Sequence, residues 1–393
     1  MDPHRNPYAP GAGFPPPELA GRDEIIERAA IAISRIRAGR ASRSIILYGL
    51  RGVGKTVLLN KIRLDAEARG VAAVVMEAPE DRSLPALLAP ALRSTLIRFS
   101  RSEALRTRAR SAMRALASFV SVFKVKYEDV EVGFDIEPDR GVADSGDLAA
   151  DLADLLATVG RVAGEREAAL ILYLDELQYV AEEQLAALIF ALHRVGQDQL
   201  PVNMIAAGLP QLLGRMGRAK SYAERPFEFV EIDRLNPTAA RDALCKPAEW
   251  EGVAFAEDAI AEILDRTRGY PYFLQEWGKH CWNVAESSPI SKEDANLATA
   301  SALAELDAGF FRVRFDRLTP AEKRYLRAMS ELGPGPHRSG DIAEKLGKKV
   351  QSVGFIRNSL ISKGMVFSAA HGDLQFTVPL FEGFMKRIMP DFV

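Results

Sequence analysis

Two stretches of the 393-residue chain hold residues whose types and spacing suit phosphate chemistry. The first is Gly49-Leu50-Arg51-Gly52-Val53-Gly54-Lys55-Thr56, with the strand-like run 45–48 before it and Val57, Leu58 and Ile62 at helical spacing after it. Its glycines let the backbone turn tightly, so that successive N–H groups face a phosphate-sized hollow. A helix starting near Lys55 would aim its partially positive N-terminus at the same place. Lys55 would reach the β- and γ-phosphates of a nucleotide, and the Thr56 hydroxyl would bind Mg²⁺. The second stretch is Leu170-Ile171-Leu172-Tyr173-Leu174-Asp175-Glu176, five apolar residues running into two carboxylates. A parallel strand buried on both faces reads this way, and its C-terminal end is where open α/β sheets bind ligands. There Asp175 would orient Mg²⁺ through its water shell, and Glu176 would polarise an attacking water as general base. The pair of motifs predicts ATP with Mg²⁺, and ADP as the product.

The elements that must position these groups are legible around them. Residues 1–20 are rich in Pro and Gly, with Pro15, Pro16 and Pro17 in a row, and predict an extended arm. Asp23 is placed to cap a helix carrying Ile25, Ile26, Ala29, Ala30 and Ile33. Val71-Ala72-Ala73-Val74-Val75-Met76 is a second buried strand, one helix after the first, which makes a βαβ unit and requires a parallel sheet. Runs 170–174, 200–208 and 227–232 supply further strands. Residues 83–120 predict helices, and 123–127 with 130–136 predict a β-hairpin across the acidic turn Glu128-Asp129. A helix over 148–162 has the apolar face Leu148, Leu152, Leu155, Leu156 and Val159. The fold class is therefore α/β, a P-loop parallel sheet over 21–235 with inserted helices and hairpin at about 83–147.

From Asn236 onward the pattern is helical. Residues 236–310 predict a helical lid, capped by Asn236 or Thr238 and interrupted at Thr267-Arg268-Gly269-Tyr270-Pro271. Over 311–393, Thr319-Pro320-Ala321-Glu322 is a capping box with Pro at the first helical position. Helices over 339–347 and 350–363 follow, then strands at 365–368 and 374–378. Three helices and a two-stranded ribbon predict a winged helix, a helix-turn-helix variant.

Bulk properties narrow the partners. With 48% hydrophobic and 26% charged residues, the chain reads as a globular protein with ample core. A net charge of −2 excludes bulk attraction to polyanions, so any such contact must be local. One local candidate is the run Arg98, Arg101, Arg106, Arg108, Arg110 and Arg114, opposed by Glu103; the alternative is a solvated or ion-paired helix face. Cys245 and Cys281 lack metal-ligand spacing and read as reduced residues of a cytoplasmic protein. No signal peptide is expected from the first residues, and no apolar run approaches the 18 residues or so of a membrane span.

With these motifs in order, the chain resembles the origin-recognition-complex-like AAA+ ATPases and their relatives, the STAND signalling ATPases. It is also similar to bacterial ATP-binding proteins of this type that lack a defined role. The resemblance rests on Leu19-Ala20-Gly21-Arg22-Asp23, Gly49 to Thr56, Leu174-Asp175-Glu176, Gly269-Tyr270-Pro271 and the C-terminal winged helix, and covers roughly residues 15–393. It implies that Gly21, Arg22 and Pro271 line an adenine pocket, that the lid closes over nucleotide, and that the winged helix moves with nucleotide state. It gives Arg225 the place of an arginine finger or a trans-acting arginine, the alternative being a salt-bridged surface residue; Arg215 and Arg218 are further candidates. The chain departs from the family in two places. Ile205-Ala206-Ala207-Gly208 lacks a polar sensor residue where one is usual, Asn203 sitting early, and no Arg follows Pro271 at a second-sensor position. Relatives use a winged-helix His near the nucleotide; His337 and His371 are both available here.

Three functions fit these residues. The first is a slow ATP-driven switch that signals to a protein partner through lid and winged helix, with a nucleotide-dependent homo-oligomer where Arg225 acts in trans. The second is a DNA-binding initiator or regulator using Lys348, Lys349, Gln351, Ser352, Arg357, Asn358 and Lys363; from Thr319 onward eleven Lys/Arg face seven Asp/Glu, a mildly basic balance. The third is a scaffold whose nucleotide is structural, against which Asp175 and Glu176 both speak.

Overall fold

The computed structural model describes every residue except Ala12, Glu80, Asp81, Val125, Glu128, Asp129, 132–137, Asp139, Arg140, Arg166, Glu167, Tyr222, 369–371 and Val393. The chain divides into two units, Arg22–Tyr48 with Lys55–Glu231, and Met1–Gly21 with Gly49–Gly54 and Ile232–Val393. Among the described residues no helix is long and apolar enough to cross a membrane.

The first unit is a parallel sheet flanked by helices. In chain order it holds α1 (Asp23–Arg37), β1 (Ser44–Tyr48), α2 (Lys55–Ala68), β2 (Ala72–Glu77), α3 (Leu84–Ser100), α4 (Arg106–Val122), the short strands β3 (Lys126–Tyr127) and β4 (Val130–Glu131), α5 (Leu148–Gly164), β5 (Leu170–Asp175), α6 (Glu182–Gln197), β6 (Val202–Gly208), α7 (Gln211–Ala219) and β7 (Phe227–Glu231). The five long strands are those the apolar runs predict, all parallel, in the order β2-β5-β6-β1-β7. Leu170, Leu172 and Leu174 of β5 join a core with Leu92 and Leu96 of α3, Leu155 and Val159 of α5 and Leu188 and Leu192 of α6. Ile171 and Tyr173, equally buried, face the other side, where α2 packs. α5 lies so close to β6 that a Cβ on Gly160 would stand 2.6 Å from Val202 Cγ2.

One local expectation is corrected and another is met in part. Asp23 does not cap α1: it is the first helical residue, and Arg22 occupies the cap position with no side-chain cap bond, its carbonyl taking the amides of Ile25 and Ile26. Asp23 then serves the helix through its charge in the first turn. Of the predicted hairpin, Lys126 pairs with Glu131 and Tyr127 with Val130 in the strand ladder; its turn and 132–136 lie outside the described residues.

The second unit begins with the arm, which is a strap rather than a free extension. Tyr8 is buried, with its ring against Gly278 and its hydroxyl donating to the Leu244 carbonyl. Trp282 Nε1 donates to the Asp2 carbonyl at 2.9 Å, and Arg5 pairs with Glu251 at 2.9 Å. The strap lies on a bundle of α8 (Pro237–Trp250), α9 (Glu257–Thr267), α10 (Pro271–Val284) and α11 (Lys292–Leu306). Asn236 caps α8, its side chain accepting from Ala239 N at 2.8 Å. Cys245 and Cys281 are buried free thiols, pushed up by burial to about 11 and about 12, which leaves them unreactive.

After α11 a wide turn of π-helix, Asp307–Phe311, leads into α12 (Arg312–Asp316). Then come α13 (Pro320–Glu331), β8 (His337–Arg338), α14 (Ser339–Lys345), α15 (Val350–Ser362), β9 (Val366–Phe367), β10 (Asp373–Phe376) and α16 (Phe381–Ile388). The strands form a three-stranded antiparallel sheet, β8-β10-β9, one strand more than the ribbon expected. The bundle and this C-terminal module share one apolar core. Its spine is aromatic: Tyr272 stacks on Phe310 at 4.6 Å, Phe310 meets Phe311 at 5.3 Å, and Phe311 stacks on Phe384 at 5.3 Å beside Phe381.

Candidate nucleotide site

In the α/β unit, the chemistry gathers at the C-terminal ends of β5 and β2. Thr56, in the first turn of α2, donates its hydroxyl to Asp175 Oδ2 at 2.6 Å. The other Asp175 oxygen accepts from the Glu176 amide at 2.8 Å. Glu176 itself sits at φ +53°, a left-handed conformation unusual for a residue with a Cβ, and a 3₁₀ turn, Leu177–Tyr179, follows. Glu77 stands opposite Asp175 in the β2–β5 register, so three carboxylates share one sheet edge. Burial pushes the Asp175 carboxyl above its usual range, against the bond from Thr56 and the Lys55 charge. Burial, then the charges of Asp175 and Glu176, raises Glu77 likewise. A hydroxyl and a carboxylate side by side are the hard oxygen donors that Mg²⁺ takes while keeping most of its water. A divalent cation there would relieve the charge crowding that raises both acids.

In the other unit lies the glycine-rich loop, Gly49–Gly54. A Cβ on Gly49 would fall 2.0 Å from the Ile232 carbonyl oxygen, so no larger residue fits. Gly52 and Gly54 take φ of +80° and +89°. The Arg51 amide donates to the Thr377 carbonyl at 2.9 Å, and the Tyr272 amide to the Gly52 carbonyl at 3.2 Å. Gly21 and the Gly269-Tyr270-Pro271 segment converge on Leu235. A Cβ on Gly21 would sit 2.7 Å from Ala239 Cβ and 3.6 Å from Leu235 Cδ2, and Leu235 N donates to the Gly269 carbonyl at 2.9 Å. Pro271 opens α10 at its first position.

The arginine candidates separate. Arg225 is exposed in the turn before β7 and makes no ion pair among the described residues. β7 runs parallel to the other strands, so Arg225 lies at the N-terminal edge of the sheet and Asp175 at the opposite edge. A strand of about 17 Å separates that edge from the one where its own chain's Asp175 lies. Asn203 is at that far edge too, donating to the Ser42 carbonyl at 3.1 Å. Arg218 pairs with Glu182 at 3.3 Å. Arg215 donates to the carbonyls of Gln178 and Val180, tying down the turn that follows Glu176. His337 bonds the Gly333 carbonyl at 2.8 Å, and His371 lies outside the described residues. In the Arg-rich run, Arg98 donates to the Ala73 carbonyl and Arg108 pairs with Glu165, both structural uses.

Sequence reasoning missed Gln178. It is 2% exposed, donates through Nε2 to the Glu176 carboxylate, and accepts from the Leu209 amide at 3.0 Å. The available signal was a lone amide in the apolar run Leu177-Gln178-Tyr179-Val180.

A parallel sheet of this order, a glycine-rich loop after β1, and a Thr hydroxyl bonded to the carboxylate that ends β5 define a P-loop ATPase. Residues 18–205 match the AAA ATPase domain. Residues 308–385 match a domain of unknown function. A comparison with curated proteins gives no match. Among solved structures, the Walker-type ATPase PABY2304 of Pyrococcus abyssi is similar at TM-score 0.61 and 16% identity, over 94% of this chain and 96% of that one. Cdc6p of Pyrobaculum aerophilum aligns at TM-score 0.47 and 16% identity, over 99% and 98%. The Orc1 protein of Aeropyrum pernix, in complex with DNA, aligns at 0.46 and 16%, over 95% and 94%. At these identities the likeness is one of fold.

Proposed function

We propose that the chain is an ATP-hydrolysing switch whose C-terminal module, read as a winged helix, is released when nucleotide fills the glycine loop. One observation carries the switch: the Arg51 amide, in the loop whose N–H groups would hold phosphate, is bonded to the Thr377 carbonyl of the module. An amide cannot serve a phosphate oxygen and that carbonyl equally well, so triphosphate and module compete for it. In hydrolysis, Lys55 holds the β- and γ-phosphates; Thr56 and Asp175 are the residues that would hold Mg²⁺, whose charge would offset the phosphate charge when bound. Glu176 accepts a proton from water as the water oxygen bonds to the γ-phosphorus. The bond from phosphorus to the β–γ bridging oxygen breaks, its electron pair leaving with ADP, and the proton returns to phosphate. Gly21, Arg22 and Pro271 take the adenine, and Val57 backs the loop. Arg225 is left for a second copy of the chain. Without a polar residue at the end of β6, turnover is slow, as suits a timer.

Amide exchange on the full chain tests the release. With Mg²⁺ and a non-hydrolysable ATP analogue, peptides spanning 364–378 should exchange at least several-fold faster than with ADP. Equal exchange in both states, with the analogue demonstrably bound, removes the switch.

A second reading has its own support. α15 leaves Phe355 85% exposed, with Val350, Gln351 and Asn358 also exposed and Lys348 and Lys349 just before them. A helix that shows cations, amides and an aromatic ring to solvent suits a duplex groove. Binding to duplex DNA should then weaken steeply with salt, by a log–log slope of about two to four for a few phosphate contacts. No binding at low salt eliminates this reading.

A further inference from the structure

We infer that Gln178 is the positioning residue for Glu176, supplying from the turn after β5 the polar link that the end of β6 lacks. The inference rests on the ATPase reading above and assigns a residue to its hydrolytic step.

The amide of Gln178 is fixed at both ends. Its Nε2 donates to a Glu176 carboxylate oxygen, and its Oε1 accepts from the Leu209 amide at 3.0 Å. An amide nitrogen cannot accept from an N–H, and an amide oxygen cannot donate to a carboxylate, so flipping the group would lose both bonds. The site allows little else to move. A Cβ on Gly208 would stand 2.8 Å from Gln178 Oε1 and 2.8 Å from Leu212 Cδ2, so Gly208 is what admits the amide beside the strand end. Arg215 holds the backbone from the other side, through the carbonyls of Gln178 and Val180.

β6 lies between β5, which ends in Asp175, and β1, which leads into the glycine loop. Leu209 directly follows β6. Gln178 therefore registers Glu176 against the strand that lies between β5 and β1. For Glu176 the consequence is that one carboxylate oxygen is held, which aims the other. The left-handed backbone of Glu176 makes such a tie necessary, because that conformation is not held by its own local energy.

The test compares Gln178→Met, which keeps the length without polar atoms, and Gln178→Glu, which keeps the acceptor for Leu209 and loses the donor. For each full-length variant, ATP hydrolysis is measured across pH with the dissociation constant of a fluorescent ATP analogue. The expected result is a kcat lowered about 10- to 100-fold with analogue binding within about threefold of wild type. In a Glu176→Gln background, Gln178→Met should add little further loss. Wild-type kcat in either variant overturns the inference, provided Glu176→Gln is itself impaired. So does joint loss of binding and turnover in both variants, because Gln178 would then serve the fold and not the carboxylate. If Glu176→Gln hydrolyses ATP as wild type does, the general-base reading fails instead.

Discussion

Glu176→Gln is expected to bind Mg²⁺ and ATP within a few-fold of wild type and to release phosphate at least about 100-fold more slowly. The substitution keeps size and the ability to accept from Gln178, but an amide oxygen cannot take a proton from water. A loss of that size corresponds to about 3 kcal/mol of barrier. Binding should survive because the contacts that hold nucleotide lie elsewhere: Lys55, and Thr56 with its 2.6 Å bond to Asp175, both remain. Lys55→Ala should show the opposite pattern, with nucleotide affinity itself lost. Steady-state phosphate release and equilibrium binding on the same preparations separate the two. If wild type and Glu176→Gln are equally inactive with any partner added, the nucleotide is structural and the chain is a scaffold.

The second large effect is on stability, and it lies in the C-terminal module. Glu322, 3% exposed, closes the capping box of α13, accepting from the Thr319 amide at 2.7 Å. It also accepts from Ser359 Oγ at 2.6 Å and Lys363 Nζ at 2.7 Å, so the cap of α13 is fastened to the end of α15. Burial alone would raise this carboxyl; the bonds from Lys363, Ser359 and Thr319 outweigh it and bring the group down to about 2. A folded-state value below the unfolded one means stability that is fully present above the unfolded carboxylate range, near pH 4.3, and lost as pH falls towards 2. From the size of that shift, about 3 kcal/mol should vanish across this window. Lys363→Ala leaves the buried carboxylate without its cation and should cost roughly 3 kcal/mol at pH 7. Glu322→Gln should cost less, about 1–2 kcal/mol, since the partly exposed Lys363 can return to water. Trp277 and Trp282 belong to the same core, so urea unfolding followed by their fluorescence reads both variants and the pH dependence. A Lys363→Ala protein as stable as wild type at pH 7 would refute the coupling.

Local motifs were legible because their chemistry is local. Gly49 to Thr56 and Leu170 to Glu176 each need only a turn or a strand end, and the both-faces-buried strands show as unbroken apolar runs. What escaped was set by distant partners. Gln178 gains its meaning from Leu209 and Gly208, some thirty residues on. The capping box was readable, but its bond to Lys363 spans 41 residues. The arm read as extended, yet nothing in Pro15 to Pro17 says that Tyr8 is buried against Gly278. β8 has two residues and no alternation to detect. Arg225 was singled out by family resemblance, and only the parallel register shows that it sits at the sheet edge opposite Asp175.

The aromatic spine also bears on heredity. Phe310, Phe311, Phe315, Phe381 and Phe384 fall within the 308–385 segment, and Phe310 and Phe311 meet Tyr272 and Phe273 outside it. Cut free as a cassette, that segment would bare Phe310 and Phe311, each ring worth roughly 1.5–3 kcal/mol when buried. Traded between proteins alone, such a piece would lose that cover; carried with the helices from Pro237 onward, it would keep the shared core.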